Sequence, residues 1–252
     1  MKNLVRSLSY LLLASFLFSF IGKVNDDAFA VNRGYAWEEY DTALARQLRS
    51  VDDLIAYADA NEGADQRGSL AYCNFLAATI RKRFYHSYSY YSFCDNWIAS
   101  LAGRLFWSDL SAIVVPDDIM KHPMAACSQV SLVLKECFVR TGVTYRKVGL
   151  LHHFVLEASI NNRWYLYDPN LEPNFINGRK SLEELKRDHE LYPAYAGRIP
   201  GENMTAVFAH PSYYASNIPL AAHARFFQQL TCILSLVSLF GLLFYVFVML
   251  AK

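Results

Sequence analysis

Residues 125–170 read AACSQVSLVLKECFVRTGVTYRKVGLLHHFVLEASINNRWYLYDPN, and this stretch decides the fold. Its first third is helical: Val130, Leu132, Val133, Leu134, Cys137 and Phe138 form a wide apolar face with the period of one helix surface. The spacing predicts a helix from Met124 to Val139, with Gly142 as its C-terminal cap. Three short runs follow, Thr144 to Leu151, His153 to Ile160 and Arg163 to Tyr167, each of strand length and composition. Asn161-Asn162 between the last two is a two-residue turn able to take positive φ, hence a hairpin. Pro169 closes the third strand, because proline cannot donate to a ladder.

Upstream, apolar residues at helical spacing predict a helix over Trp37 to Ala60, another over Gln66 to Tyr85 and a third over Asp95 to Phe106. Arg81-Lys82-Arg83 falls inside the second, where a run of charge is expected on a solvated helix face. The segment from Ser108 to Pro123 is turn-rich, with Pro116-Asp117-Asp118 and His122-Pro123. Downstream, Ser181 and Glu184 form a capping box that opens a short helix to about Asp188. Helices first, then a central helix feeding an antiparallel sheet, is an α+β layout with a helical layer packed on that sheet.

Both ends of the chain are apolar. Leu230 to Ala251 reads LTCILSLVSLFGLLFYVFVMLA, without a charge, and a run of about 20 apolar residues spans the hydrocarbon core as a helix. At the other end Lys2 and Arg6 precede an apolar stretch from Leu8 to Gly22, with Ala28-Phe29-Ala30 as an A-x-A site. That pattern fits a signal peptide or an uncleaved signal anchor. Basic residues ahead of the first apolar segment, and Lys252 after the last, favour cytoplasmic termini and an extracytoplasmic centre. The expected division is 1–30 signal segment, 31–225 a folded domain, and 226–252 a transmembrane helix.

The net charge of +1 gives no reason for a nucleic-acid partner. No C-x-x-C or H-E-x-x-H is present, so neither a metal nor another cofactor is expected. Cys73 and Cys94 can pair in an oxidising compartment or remain two thiols.

Cys127 stands near the start of its helix, where Pro123 suits the first turn. The unpaired N–H groups and positive dipole end there favour a thiolate. Cys137, in the apolar pattern, is expected to pack as a small hydrophobe. His153, Val155 and Glu157 share a strand face. Pairing about Asn161-Asn162 sets Asp168 opposite Val155, a diagonal neighbour of His153. Thiol, imidazole and carboxylate are the set that nucleophilic acyl transfer needs.

In the order of these pieces the chain resembles the catalytic core of the transglutaminase-like superfamily, which is akin to papain-like enzymes. Residues carrying the resemblance are Cys127, Arg146-Lys147-Val148, His153 with Glu157, and Trp164 with Asp168-Pro169. Ala126 and Ser128 stand where the family commonly has glycine and an aromatic, and His152 adjoins His153. The resemblance implies Cys127 as nucleophile, His153 as base and Asp168 as orienting acid. It implies an oxyanion hole from the Cys127 N–H and an upstream donor, with Trp97 and Trp107 as candidates. It also implies peptide or amide hydrolysis on a peptide or protein substrate, with two alternatives. One is transfer to an amine (cross-linking); the other is an idle module that binds a partner in a membrane assembly.

Overall fold

A computed structural model of the chain describes residues 9–10, 38–199, 201–218 and 221–250. The long periodic stretch near the start forms two helices, α1 (Thr42–Gln47) and α2 (Val51–Glu62), rather than one. Ser50 interrupts it: its backbone is extended and its hydroxyl accepts the Asp53 N–H at 3.0 Å. Asp53 in return accepts the Arg49 N–H at 3.0 Å, so a reciprocal cap splits the run. At α3 (Leu70–Arg83) the cap is one-sided: the Ser69 hydroxyl accepts the Tyr72 N–H at 3.1 Å. Trp37 lies outside the described residues. Next come α4 (Trp97–Leu105), α5 (Pro116–Ile119) and α6 (Cys127–Arg140).

The central helix α6 begins three residues later than Met124. Pro123 and Ala125 instead pair with Tyr85, whose N–H donates to the Pro123 carbonyl and whose carbonyl accepts the Ala125 N–H, both at 3.1 Å. Gln129, at the third helical position, turns its side chain back to accept the Ala126 N–H at 3.1 Å. At the far end Gly142 takes φ +74° and the Val143 N–H reaches back to the Phe138 carbonyl at 2.8 Å, satisfying an end carbonyl as expected.

Strands β1 (Thr144–Leu150), β2 (His153–Ile160) and β3 (Arg163–Tyr167) form as the sequence indicates. A fourth, β4 (Ser212–Tyr214), adds to β1, giving an antiparallel sheet of order β3-β2-β1-β4. On one face the Phe138 ring of α6 lies 5.6 Å from Tyr167 and 6.4 Å from Tyr145. On the other, Val148, Val155 and Leu166 pack with Leu182 and Leu185 of α7 (Leu182–Arg187). Leu191 and Tyr195 of α8 (Leu191–Tyr195), with Met204 and Phe208 of α9 (Gly201–Phe208), complete that core. The α+β layout holds, but the sheet is covered on both faces, which is why β2 reads as a nearly continuous apolar run.

Residues 38–88 and 116–218 belong to one compact unit; residues 89–115 group with 221–250 in another. The second unit contains α4 and α10 (Ala222–Leu250), a helix over 29 residues. Several side chains in its last third lie outside the described set, and among the described residues no helix is long and apolar enough to cross a membrane. The N-terminal segment 1–30, apart from Ser9 and Tyr10, is likewise outside them. No disulfide forms among the described residues, and burial pushes the Cys73 thiol up to about 12.

Arg83 overturns the expectation of a solvated charge run, because it is wholly buried. Its Nε donates to the Leu48 carbonyl at 2.7 Å and Nη1 to that of His122 at 2.9 Å, while Nη2 donates to Met120. Its neighbour Arg81 is also largely covered and pairs with Glu39 at 3.1 Å. Burial pulls the Arg83 pKa down to about 9, yet the fork meets three carbonyls that have no ladder partner. It thereby joins the α1–α2 turn, the end of α3 and the loop that leads to Cys127. Arg83→Ala is expected to lower the unfolding free energy by about 3–5 kcal/mol in urea titration. Arg83→Lys should not restore it, since one ammonium cannot reproduce a planar three-way fork.

Candidate active site

Cys127 opens α6 and His153 opens β2, and one hydrogen bond ties these elements together. Ser131, a turn beyond Cys127, donates its hydroxyl to the Phe154 carbonyl at 2.9 Å. Phe154 adjoins His153, so the helix start is fixed beside the strand start. The β2–β3 hairpin then delivers the acid. Asn161 and Asn162 take φ of +50° and +61°, and Leu156 faces Tyr167, which sets Asp168 across from Val155 in the continued register.

His153 Nε2–H donates to Asp168 Oδ2 at 2.6 Å, which leaves Nδ1 uncommitted to the carboxylate, and Cys127 is near enough to contribute to the raised pKa of the ring. The His153 and Asp168 side chains are 8% and 1% exposed, and Cys127 is half-buried. Asp168 also accepts the Tyr195 hydroxyl at 3.0 Å on Oδ2 and the Leu171 N–H at 3.2 Å on Oδ1. The Glu172 N–H closes the turn onto the Asp168 carbonyl at 2.6 Å. A buried carboxylate with three donors is satisfied and held in one orientation.

Burial is the largest influence on His153 and opposes its charge, but the Asp168 carboxylate, with Cys127 adding to it, wins. The pKa rises from 6.5 to about 10, so the ring carries its proton at neutral pH. Cys127 stands at the start of α6, the positive end of the helix dipole, and Ser131 holds that helix start beside the strand that carries this ring.

His152 and Cys137, the alternatives beside His153 and Cys127, have different surroundings. His152 is exposed in the β1–β2 turn with φ +55°. Cys137 is fully buried, its thiol pushed up by desolvation. Trp97 and Trp107, the expected oxyanion donors, belong to the other compact unit; Trp97 lies 6.2 Å from the Phe93 ring and Trp107 is 66% exposed. Among the described residues no cluster of three His, Cys, Asp or Glu is placed to hold a metal.

Glu157 does not face the thiol. It accepts from Arg146 Nε at 2.6 Å and from the Leu182 N–H at 2.7 Å, capping α7. The Arg146 guanidinium lies 4.6 Å from the Trp164 ring and 4.4 Å from that of Tyr213. One residue from each strand thus joins a stacked ion pair that locks the sheet to the second helical layer. Glu38, Arg81, His86, Ala125 and Asn170 line a small pocket, in which His86 Nδ1 lies 2.6 Å from Asn170 Oδ1.

Tyr195 and Ser131 escape a reading of the sequence alone. Ser131 carries a signal, a hydroxyl within an apolar helix face; Tyr195 carries none.

Two outcomes test this geometry. His153 has a folded pKa above its unfolded value, so its contribution to stability is full below about pH 6.5 and fades as pH rises toward 10. Urea titrations across that window should show wild-type stability falling with pH, and Asp168→Asn should flatten the decline. Ser131→Ala leaves the Phe154 carbonyl unpaired and should cost about 1–3 kcal/mol in the same assay. No family model, curated protein or solved structure matches this chain, and the site stands on its geometry alone.

Proposed function

We propose that this chain is a membrane-anchored, transglutaminase-like cysteine enzyme that hydrolyses a peptide or amide bond. The observation that carries the reading is the buried His153–Asp168 pair, held beside the helix start that bears Cys127 by the Ser131–Phe154 hydrogen bond. The Cys127 sulfur attacks the carbonyl carbon, forming a C–S bond as the oxygen gains negative charge. The Cys127 N–H, first in its helix and without an intrahelical acceptor, lies ready to hold that oxygen. Collapse breaks the C–N bond, and His153 gives the departing amine its Nδ1 proton. Water then attacks the thioester while Nδ1 takes its proton. The C–S bond breaks, the acid leaves, and thiolate and imidazolium are restored. Asp168, held by Tyr195, keeps the ring aligned throughout.

Hydrolysis ranks above transfer to an amine because the resemblance is to bacterial members of that superfamily, which are more often hydrolytic. Anchoring is supported by the uncharged run from Leu230 to Ala251 and by the apolar side chains that α10 exposes. Phe226, Ile233, Val237, Phe240 and Phe244 are each more than half exposed, a surface that water does not favour. The charge pattern of the termini supports a catalytic unit outside the cytoplasm.

The test is labelling by a peptidyl ketone that mimics an acyl donor and alkylates thiolates, at neutral pH. Cys127 should take the label, and Cys127→Ala should abolish it. His153→Ala should slow labelling by about 100-fold or more. Should Cys127 label no faster than an ordinary exposed thiol, with His153→Ala changing nothing, the enzyme reading is lost.

A further inference from the structure

Helix α4 is built inside out. Its inward positions are small: Ala99 and Ser100 are buried, and Gly103 lies so close to Ser111 that a Cβ there would clash with the serine side chain. Its outward positions are large and apolar. Leu101 and Leu105 are exposed at a spacing of four, a turn beyond the half-buried Trp97, and the chain continues into exposed Phe106 and Trp107. Leu101 is 40% exposed, Leu105 65% and Phe106 82%. A helix on a water-soluble core shows the reverse arrangement.

Polar groups in the same unit are turned inward and satisfied. Asn96 Nδ2 donates to Thr231 Oγ1 at 2.9 Å and to the Gln228 carbonyl at 3.2 Å. Its Oδ1 accepts the Ala99 N–H at 3.1 Å. Gln228 Nε2 donates to the Ala112 carbonyl at 2.6 Å, and its Oε1 accepts the Val114 N–H at 3.0 Å. Gln228 and Thr231 are buried. Small residues between helices, polar side chains as internal glue and large apolar groups outward are the pattern of protein packed within lipid.

We propose that α4 and the Phe106-Trp107 turn lie in the bilayer interface as an in-plane membrane contact, additional to α10. This rests on the anchoring of α10, with which α4 forms one compact unit. At nine residues, or about 14 Å at 1.5 Å per residue, α4 is too short to span. Its place is therefore the boundary of headgroups and acyl chains, where tryptophan and phenylalanine partition. Exposed Arg104 at its C-terminal turn suits a neighbouring lipid phosphate. Trp107, exposed on this turn, is one of the lipid-contacting side chains.

The full-length chain in phosphatidylcholine–phosphatidylglycerol vesicles provides the test. Leu105→Cys and Phe106→Cys are treated with a membrane-impermeant maleimide and mapped by peptide, beside Glu183→Cys as an exposed control on α7. The two α4 cysteines should react about tenfold more slowly than the control. In the otherwise native chain, brominated lipid should quench tryptophan emission, and Trp107→Phe should remove much of that quenching. Equal labelling of Leu105→Cys and Glu183→Cys, in vesicles from which alkaline carbonate does not release the chain, overturns the α4 contact and leaves the α10 anchor standing. Release by carbonate overturns the anchor, and the α4 contact with it.

Discussion

Two asparagines with left-handed backbone, Asn161 and Asn162, decide which residue of β3 faces which residue of β2. Strand side chains alternate, so a slip of one position would turn Asp168 to the α6 face and away from His153. The same slip would carry Trp164 away from Arg146 and replace the apolar partners of α7 with the residues that now meet α6. A two-residue turn admits one register, and that register positions the acid, the stacked arginine and both cores at once. Few other single features have consequences on both sheet faces.

The electrostatics of the site follow from depth. An imidazole as enclosed as that of His153 would ordinarily be neutral, since burial disfavours its charge. Asp168 reverses this only because it is itself fixed as an acceptor by three donors, two of them, Tyr195 and Leu171, outside the triad. The second helical layer thus contributes to the geometry of the candidate site. From it α8 delivers the hydroxyl that steadies the acid, while the Leu182–Leu185 core supports the strand from which the acid emerges.

Local signals were readable and remote ones were not. The body of α6, the hairpin and the Ser181 cap depend on neighbours a few residues away, and the sequence showed each of them. The start of α6 depends on Tyr85, far along the chain, so a pattern that ran on to Met124 misjudged it. The β4 strand is three residues long and exists because β1 has an open edge. Arg83 stood in a basic run that looked solvated; its burial reflects three carbonyls contributed by distant turns, which no periodicity reports. The pairing of Asp168 with His153 was legible because one hairpin imposes its register. Tyr195 was not, because a buried phenol resembles any other aromatic core residue until its partner is known.

Glu157, Arg146, Trp164 and Tyr213 form a closed set that touches neither the thiol nor the imidazole. Much of the pattern that suggests an enzyme is therefore scaffold, subject to a different demand from the three side chains of the candidate site. Substitutions at Cys127 can remove the candidate nucleophile while leaving that scaffold intact, whereas substitutions at Glu157 threaten the fold before they reach the candidate site. Under the proposed function, descendants of such a chain have an open route to becoming inert binding proteins, since the proposed chemistry and the architecture are inherited through separate residues.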